Sequence, residues 1–467
     1  MNYMIGKIIL SRLSSLLSQK RFTIGELTYE ITGIDTVKVY RCNSSATSVN
    51  IPSTVTNRKK IYNITSIENG AFNGCIELKT LNFNVIECDD FSIYYSKHPF
   101  EGCPISTINI GDNVQKIPGY FAYGIESLNS INISNSVLII GNSAFRNCRN
   151  LTDFIIPNSV ITIESSAFNS CESLTAITIP NSVTTIESSV FSGCVNLSSV
   201  TISDSVRSIG HDAFRCCRNL SSISIPNSVA TIENSTFEDC ISLTSVTIPN
   251  NVIIIEKHAF YNCQNLNSVT IGTSVTSIGN HSFDRCYNLK VLFFNAIHCN
   301  NFSSGSDYPF LECPISTINI GNNVEKIPSY FAYNLSSLLS ISIPNSVTSI
   351  GKYAFCRCRN LTLITMSDNI TRIQESTFDN CNNLTTITIP KRVANIEDRA
   401  FNGCYNLRNV ISLAVLPPTL GEEIFSATAI LTIPCHSLGY YMSTASKWKQ
   451  YFVSIEEMSS DITIPII

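Results

Sequence analysis

Charge is scarce in this chain. Only 14% of its 467 residues are Asp, Glu, Lys or Arg and the formal net charge is −4, whereas ordinary domains carry about 25% charged residues. No basic stripe is available to track a phosphate backbone, so nucleic acid is not an expected partner. No run of about 18 apolar residues occurs, so neither a helical membrane anchor nor membrane insertion is expected. Nor does any stretch carry the stripe at 3.6-residue spacing that marks an amphipathic helix. The chain has six histidines and lacks G-x-S-x-G, H-E-x-x-H, a glycine-rich phosphate loop and any paired-carboxylate arrangement. It therefore reads as not an enzyme, with no catalytic residues, no cofactor and no metal site.

What the chain does have is repetition. Cys148, Cys171, Cys194, Cys217, Cys240, Cys263 and Cys286 follow one another at one fixed interval, and Cys358, Cys381 and Cys404 resume it. Three residues before each stands a phenylalanine, in a longer series from Phe72 through Phe237 to Phe401. Self-similarity at a period in this range marks a stacked repeat. One period, residues 174–197, reads LTAITIPNSVTTIESSVFSGCVNL. Ile177 and Ile179 alternate with threonine, as in a strand with one buried face. Pro180 ends that strand by removing a ladder donor, and Asn181 suits the turn that follows. Val183 and Ile186 then begin a second short side. The expected fold is mostly β, with no long helix inside 67–412.

The unit resembles the leucine-rich repeats of the BspA-like family, L-x-x-I-x-I-P-x-S-V-x-x-I-x-x-x-A-F-x-x-C. The resemblance implies a right-handed leucine-rich-repeat solenoid of about fifteen 23-residue coils with short turns or single-turn helices, capped at both ends. It divides the chain into a leader-like or disordered segment at 1–20, an N-terminal β cap at 21–66, the solenoid at 67–412 and a C-terminal cap at 413–467. Caps are needed because an open solenoid end exposes core. The resemblance also implies a surface or secreted protein, although MNYMIGKIILSRLSSLLSQKRF is interrupted by Lys7 and Arg12 and makes a poor secretory leader.

The cysteines invite a metal or redox interpretation, above all Cys356 and Cys358, one residue apart. Register argues otherwise. In the coils of Phe121 and Phe331 the thiol slot holds Ile125 and Leu335, so the slot is apolar and the thiol acts there as a small buried hydrophobe. Cys216 and Cys356 fall beside the ladder at slots that elsewhere hold Asn73, Arg146 or Asp239, and both are expected to be exposed. Nineteen cysteines cannot all pair internally. Cys42, Cys88, Cys299 and Cys435 lie off the ladder, with their pairing open.

A second level of repetition frames the candidate site. CPISTINIGDNVQKIPGYFAYGIESL at 103–128 returns as CPISTINIGNNVEKIPSYFAYNLSSL at 313–338. Each copy follows an enlarged coil, near 84–99 and 295–309. Insertions in repeat arrays become loops on one face. Aromatic residues outside the core slots gather there: Phe91, Tyr94 and Tyr95 in the first, Phe302 and Tyr308 in the second, with Phe293 on the strand face nearby. Asp89, Asp90 and Asp307 add charge. These nine are the candidate partner-binding residues, against the plainer possibility that the rings pack the loops down. His258 and His281 occupy equivalent slots in neighbouring coils, roughly 5 Å apart if stacked. That slot is a polar turn position with no recurring third ligand. The expected function is a non-enzymatic recognition or adhesion module for a protein or glycan partner. The alternatives are a structural or ordered-surface-binding array using the Ser/Thr ladder and, less favoured, an enzyme of unrecognised type.

Overall fold

The computed structural model describes residues 20–91, 98–152, 154–303, 307–426, 428–443 and 447–459. It comprises two compact units, residues up to Ser228 and residues from Val229 onward.

The first unit opens with a five-stranded sheet in the order Arg21–Ile24, Leu27–Ile31, Thr36–Cys42, Lys60–Ile67, Thr54–Asn57. The pairing is antiparallel except between Thr36–Cys42 and Lys60–Ile67. Stacked coils follow. Ser48–Ile51, Thr80–Phe83, Thr107–Ile110 and Ser130–Ile133 pair in parallel, which turns Val49, Leu81, Ile108 and Ile131 inward and aligns Asn50, Asn82, Asn109 and Asn132 outward. Alternation along a pleated strand dictates that division. A second parallel row consists of two-residue strands, Lys116–Ile117, Ile139–Ile140, Thr162–Ile163, Thr185–Ile186 and Ser208–Ile209. The isoleucine at the end of each is buried.

The second unit repeats the plan. Ser245–Thr247, Ser268–Ile271, Val291–Phe294 and Thr317–Ile320 form one parallel sheet, and Thr386–Ile389, Asn409–Ser412, Ala429–Ile433 and Phe452–Glu457 another. Between rows the chain runs in turns. Among the described residues, helical geometry is confined to the single turn Leu438–Tyr441 and the 3-10 turn Trp448–Tyr451, both beyond residue 412, and to 3-10 backbone at Asp307.

Two internal columns hold each stack together. Phenylalanine rings lie one above the next: Phe168 and Phe191 at 5.7 Å and 7°, Phe260 and Phe283 at 5.2 Å and 4°. Beside them the thiols do more than fill space. Cys171 Sγ donates to the Phe145 carbonyl, Cys194 to Phe168, Cys263 to Phe237 and Cys381 to Phe355, each at 3.2–3.3 Å. Every such bond ties a coil to the one before it. All nineteen thiols are free; Cys88, Cys216 and Cys435 are half-buried and the others buried. Cys356 departs from expectation. It is buried, because its short side chain lies down in the turn with the sulfur 3.9 Å from Asp379 Oδ2, where a longer polar residue would reach solvent. The column also extends past residue 412: Phe425 stacks on Phe401 at 5.3 Å and 2°. Trp448 covers Phe425 and donates its indole N–H to the Pro418 carbonyl at 2.8 Å.

Candidate partner-binding site at the enlarged coils

Both enlarged coils follow the same physical plan. In the first, the Phe91 amide donates to the Gly119 carbonyl at 3.0 Å, and Asp90 Oδ1 accepts the Gly119 amide at 2.7 Å. Lys116 Nζ stands 3.0 Å from the same carboxylate. In the second, the Phe302 amide donates to the Ser329 carbonyl at 3.1 Å, and Asn301 Oδ1 accepts the Ser329 amide at 3.1 Å. The clasp closes a loop, and the phenylalanine behind it enters the core. Phe91 lies 6.1 Å from Phe100 and 5.9 Å from Phe121; Phe302 lies 6.1 Å from Phe310 and 6.2 Å from Phe331.

Of the nine residues singled out from the sequence, Phe91, Phe302 and Tyr308 are buried and offer nothing to a partner. Their rings fill the widened core beside Phe121 and Phe331, which turn edge-on to Phe83 and Phe294 at 4.7 and 4.8 Å. The Tyr308 hydroxyl donates to the Phe331 carbonyl at 2.8 Å. Asp90 is exposed but committed to its clasp. Asp89 is exposed, its amide donating to the Thr65 carbonyl at 3.1 Å. Tyr94 and Tyr95 lie outside the described residues. Phe293 is 40% exposed in a row between Thr270 and Asn319. Asp307 points elsewhere, to His281 Nε2 at 3.7 Å. Phe293 and Asp307 are thus on different sides of their coil and do not converge.

Asp307 leads to a group that sequence reasoning left aside. His258 and His281 stack at 5.5 Å with their planes 27° apart. Both take the left-handed backbone region, φ 58° and 54°, as Ser166 and Ser189 do in the same slot. His281 Nδ1 lies 3.1 Å from Asp284 Oδ2. Asp284 is only 5% exposed, and its other oxygen, Oδ1, has no hydrogen-bond partner. Burial pushes this carboxyl up from its ordinary value while His281 pulls it back. Burial likewise holds His258 below the usual imidazole range. Tyr261 packs edge-on against His258 at 5.4 Å, and the Arg285 guanidinium lies 5.3 Å over the Tyr261 ring. Together with Glu238 and Glu312 these side chains line a cleft of about 490 Å³. No group of three or more His, Cys, Asp or Glu side chains with metal-holding geometry occurs among the described residues.

His98 was also missed, although aligning the two blocks places it opposite Tyr308. Its Nε2 lies 2.7 Å from the Tyr120 carbonyl, and its Nδ1 is 3.3 Å from the Phe100 amide. A carbonyl only accepts, so Nε2 carries the proton and Nδ1 receives the amide's. The neutral ring relays one peptide group to the next coil.

The family described as BspA type leucine rich repeat region matches residues 18–84, 34–171, 94–221, 207–338 and 325–445. The chain belongs to this family. A leucine-rich repeat protein from Bacteroides ovatus is 25% identical over 93% of this chain and 100% of its own, with a TM-score of 0.57. A leucine rich cell surface protein from Faecalibacterium prausnitzii is 24% identical over 94% and 95%, TM-score 0.33. The T. pallidum leucine rich repeat protein is 26% identical over 43% and 91%, TM-score 0.36. No curated protein matches. In this BspA-type chain the cysteine of the repeat is a donor to the preceding coil. No helix among the described residues is long and apolar enough to cross a membrane.

Proposed function

We propose that this BspA-type protein is a non-enzymatic recognition module that binds a protein or glycan partner at the cell surface or outside the cell. The observation that carries this reading is the strand face of the second unit. Its outward positions are small and polar over Ser245, Thr247, Ser268 and Thr270, then break at Phe293, 40% exposed, and at Leu363, 59% exposed. An aromatic ring held out of the core on a rigid parallel sheet is what a contact anchor requires. The location rests on family membership.

The ordered-surface alternative has one observation in its favour, the aligned asparagines of the first unit. Asn109 Nδ2 donates to Asn82 Oδ1 and Asn132 Nδ2 to Asn109 Oδ1, each at 2.7 Å. Those amides bond one another along the row, and the row ends at Ile155, 85% exposed, so recognition is the better supported function. The test captures partners from host-cell and matrix extracts on immobilised wild-type chain and on Phe293→Ser. A partner retained by wild type and lost by Phe293→Ser, at equal thermal midpoints, supports the proposal. Equal retention by both refutes the strand-face anchor.

A further inference from the structure

The cleft formed by His258, Tyr261, His281, Asp284 and Glu312 is unrelated to the strand-face anchor and has its own chemistry. Four carboxylates line or touch it, Glu238, Asp284, Asp307 and Glu312. Arg285 and the neighbouring Lys257 are the nearby cations, so among the carboxylates, lysine and arginine the acid is in excess by two. Asp284 is more than nine-tenths buried with one oxygen unbonded. A buried carboxylate with a vacant acceptor is costly unless a donor or cation is brought to it. One wall is aromatic: the ring of Tyr261 stands beside the stacked imidazoles, and a tyrosine face attracts cations. The chain itself demonstrates that preference, since Arg285 lies over Tyr261 with Nε 3.9 Å from Glu312 Oε2. One cation already sits at the rim, and its charge does not balance the site.

We propose that this cleft receives a lysine or arginine side chain of a protein partner, held between the carboxylates of Asp284 and Glu312 and the ring of Tyr261. The proposal deepens the recognition function and rests on it, because it supplies that function with a ligand chemistry. Asp307 ties the cleft to the second enlarged coil through His281, so the insertion contributes to the site by its charge while its rings serve the core. A basic segment entering here meets a low-dielectric wall behind Asp284, where opposite charges attract more strongly than at the open surface.

The probe is fluorescein-labelled octalysine, titrated by anisotropy at low salt against the full chain. The doubly substituted Asp284→Asn/Glu312→Gln is compared with Glu77→Gln/Asp204→Asn, which removes the same formal charge from exposed residues of the first unit. The cleft variant is expected to bind at least about tenfold more weakly than the control variant, as loss of close charge partners does. Thermal midpoints are measured for both. Glu312→Gln alone changes a half-exposed residue and leaves the fold intact, so it keeps the test valid should Asp284→Asn unfold; about threefold weaker binding is expected of it. Equal affinities in cleft and control variants overturn the proposal. So does zinc chloride binding that depends on Asp284 while octalysine does not bind, which would make the cleft a metal site. Neither outcome touches the strand-face anchor, which Phe293→Ser tests separately.

Discussion

Replacing Phe260 by alanine tests the ring column where it is most regular. The ring is fully buried, with Phe237 at 5.2 Å and 13° on one side and Phe283 at 5.2 Å and 4° on the other. Losing such a ring costs about 3–5 kcal/mol through lost transfer energy and the cavity left behind. The upper half of that range is expected, because two flanking rings each lose an aromatic contact of about 0.5–1.5 kcal/mol and cannot close a gap fixed by the strand spacing. The urea midpoint should fall by roughly 1–2 M. Repeat proteins couple chiefly to nearest neighbours, so the damage should be local first. Hydrogen exchange should accelerate at the amides of Phe237 and Phe283, which donate to Ala259 and Pro309, before it changes at Glu397, which donates to Ile373. A midpoint shift under about 0.3 M, against the 1–2 M expected from the urea slope, would refute the argument. So would uniform acceleration of exchange throughout the second unit.

Iodoacetamide at neutral pH should label no more than the three half-buried thiols, Cys88, Cys216 and Cys435, and the remainder only in denaturant; burial holds Cys194 up to about 12, so it presents no thiolate. Asp90→Ala should lower stability by about 1–2 kcal/mol, the scale of a charge-assisted bond to an amide, whereas Asp90→Asn should cost less, since Asn301 makes the same bond in the second unit; equal losses in a thermal melt would contradict the clasp. His98 must stay neutral to relay its peptide, and burial, the largest influence, lowers its pKa. The unfolded chain therefore takes up the proton first as pH falls below about 6.5, and stability present above that value is lost below it. His98→Tyr should remove this part of the pH dependence, and an unchanged slope in the difference between the two melts would count against the relay.

The coil was legible because its signals agree at every level. Alternation at Ile177 and Ile179, proline after the strand, and phenylalanine and cysteine at one interval each demand the same local geometry. The enlarged coils were not legible in the same way. A phenylalanine in an insertion suits a partner's pocket or the protein's own core equally well, and only the space left beside Phe121 and Phe331 decides. Phe91 and Phe302 take that space. Phe425 was hidden in a segment assigned to the C-terminal cap, because PPTLGEEIF has lost the cysteine that follows the ring elsewhere. The hydrogen bonds of the thiols were hidden too. Ile125 and Leu335 in the same slot show that it is apolar, and residue type alone does not reveal that a sulfur there also donates.

The position shared by His98 and Tyr308 shows how the fold tolerates its own irregularity. In regular coils the phenylalanine amide donates directly to the next coil, as Phe168 does to Val190 at 3.0 Å. Where a short coil follows an enlarged one, register is lost and a backbone group is left over. A buried unpaired peptide group costs about as much as a lost hydrogen bond. The first unit inserts an imidazole, which accepts from Phe100 and donates to Tyr120. The second inserts a phenol, which donates to Phe331. The two side chains share reach, an aromatic body that packs beside Phe100 or Phe310 at 5.8 and 5.9 Å, and a terminal donor. Substitution at this slot is therefore constrained by hydrogen bonding and volume together. Leucine would satisfy the volume and leave the carbonyl unpaired, whereas serine would lack both the reach and the ring.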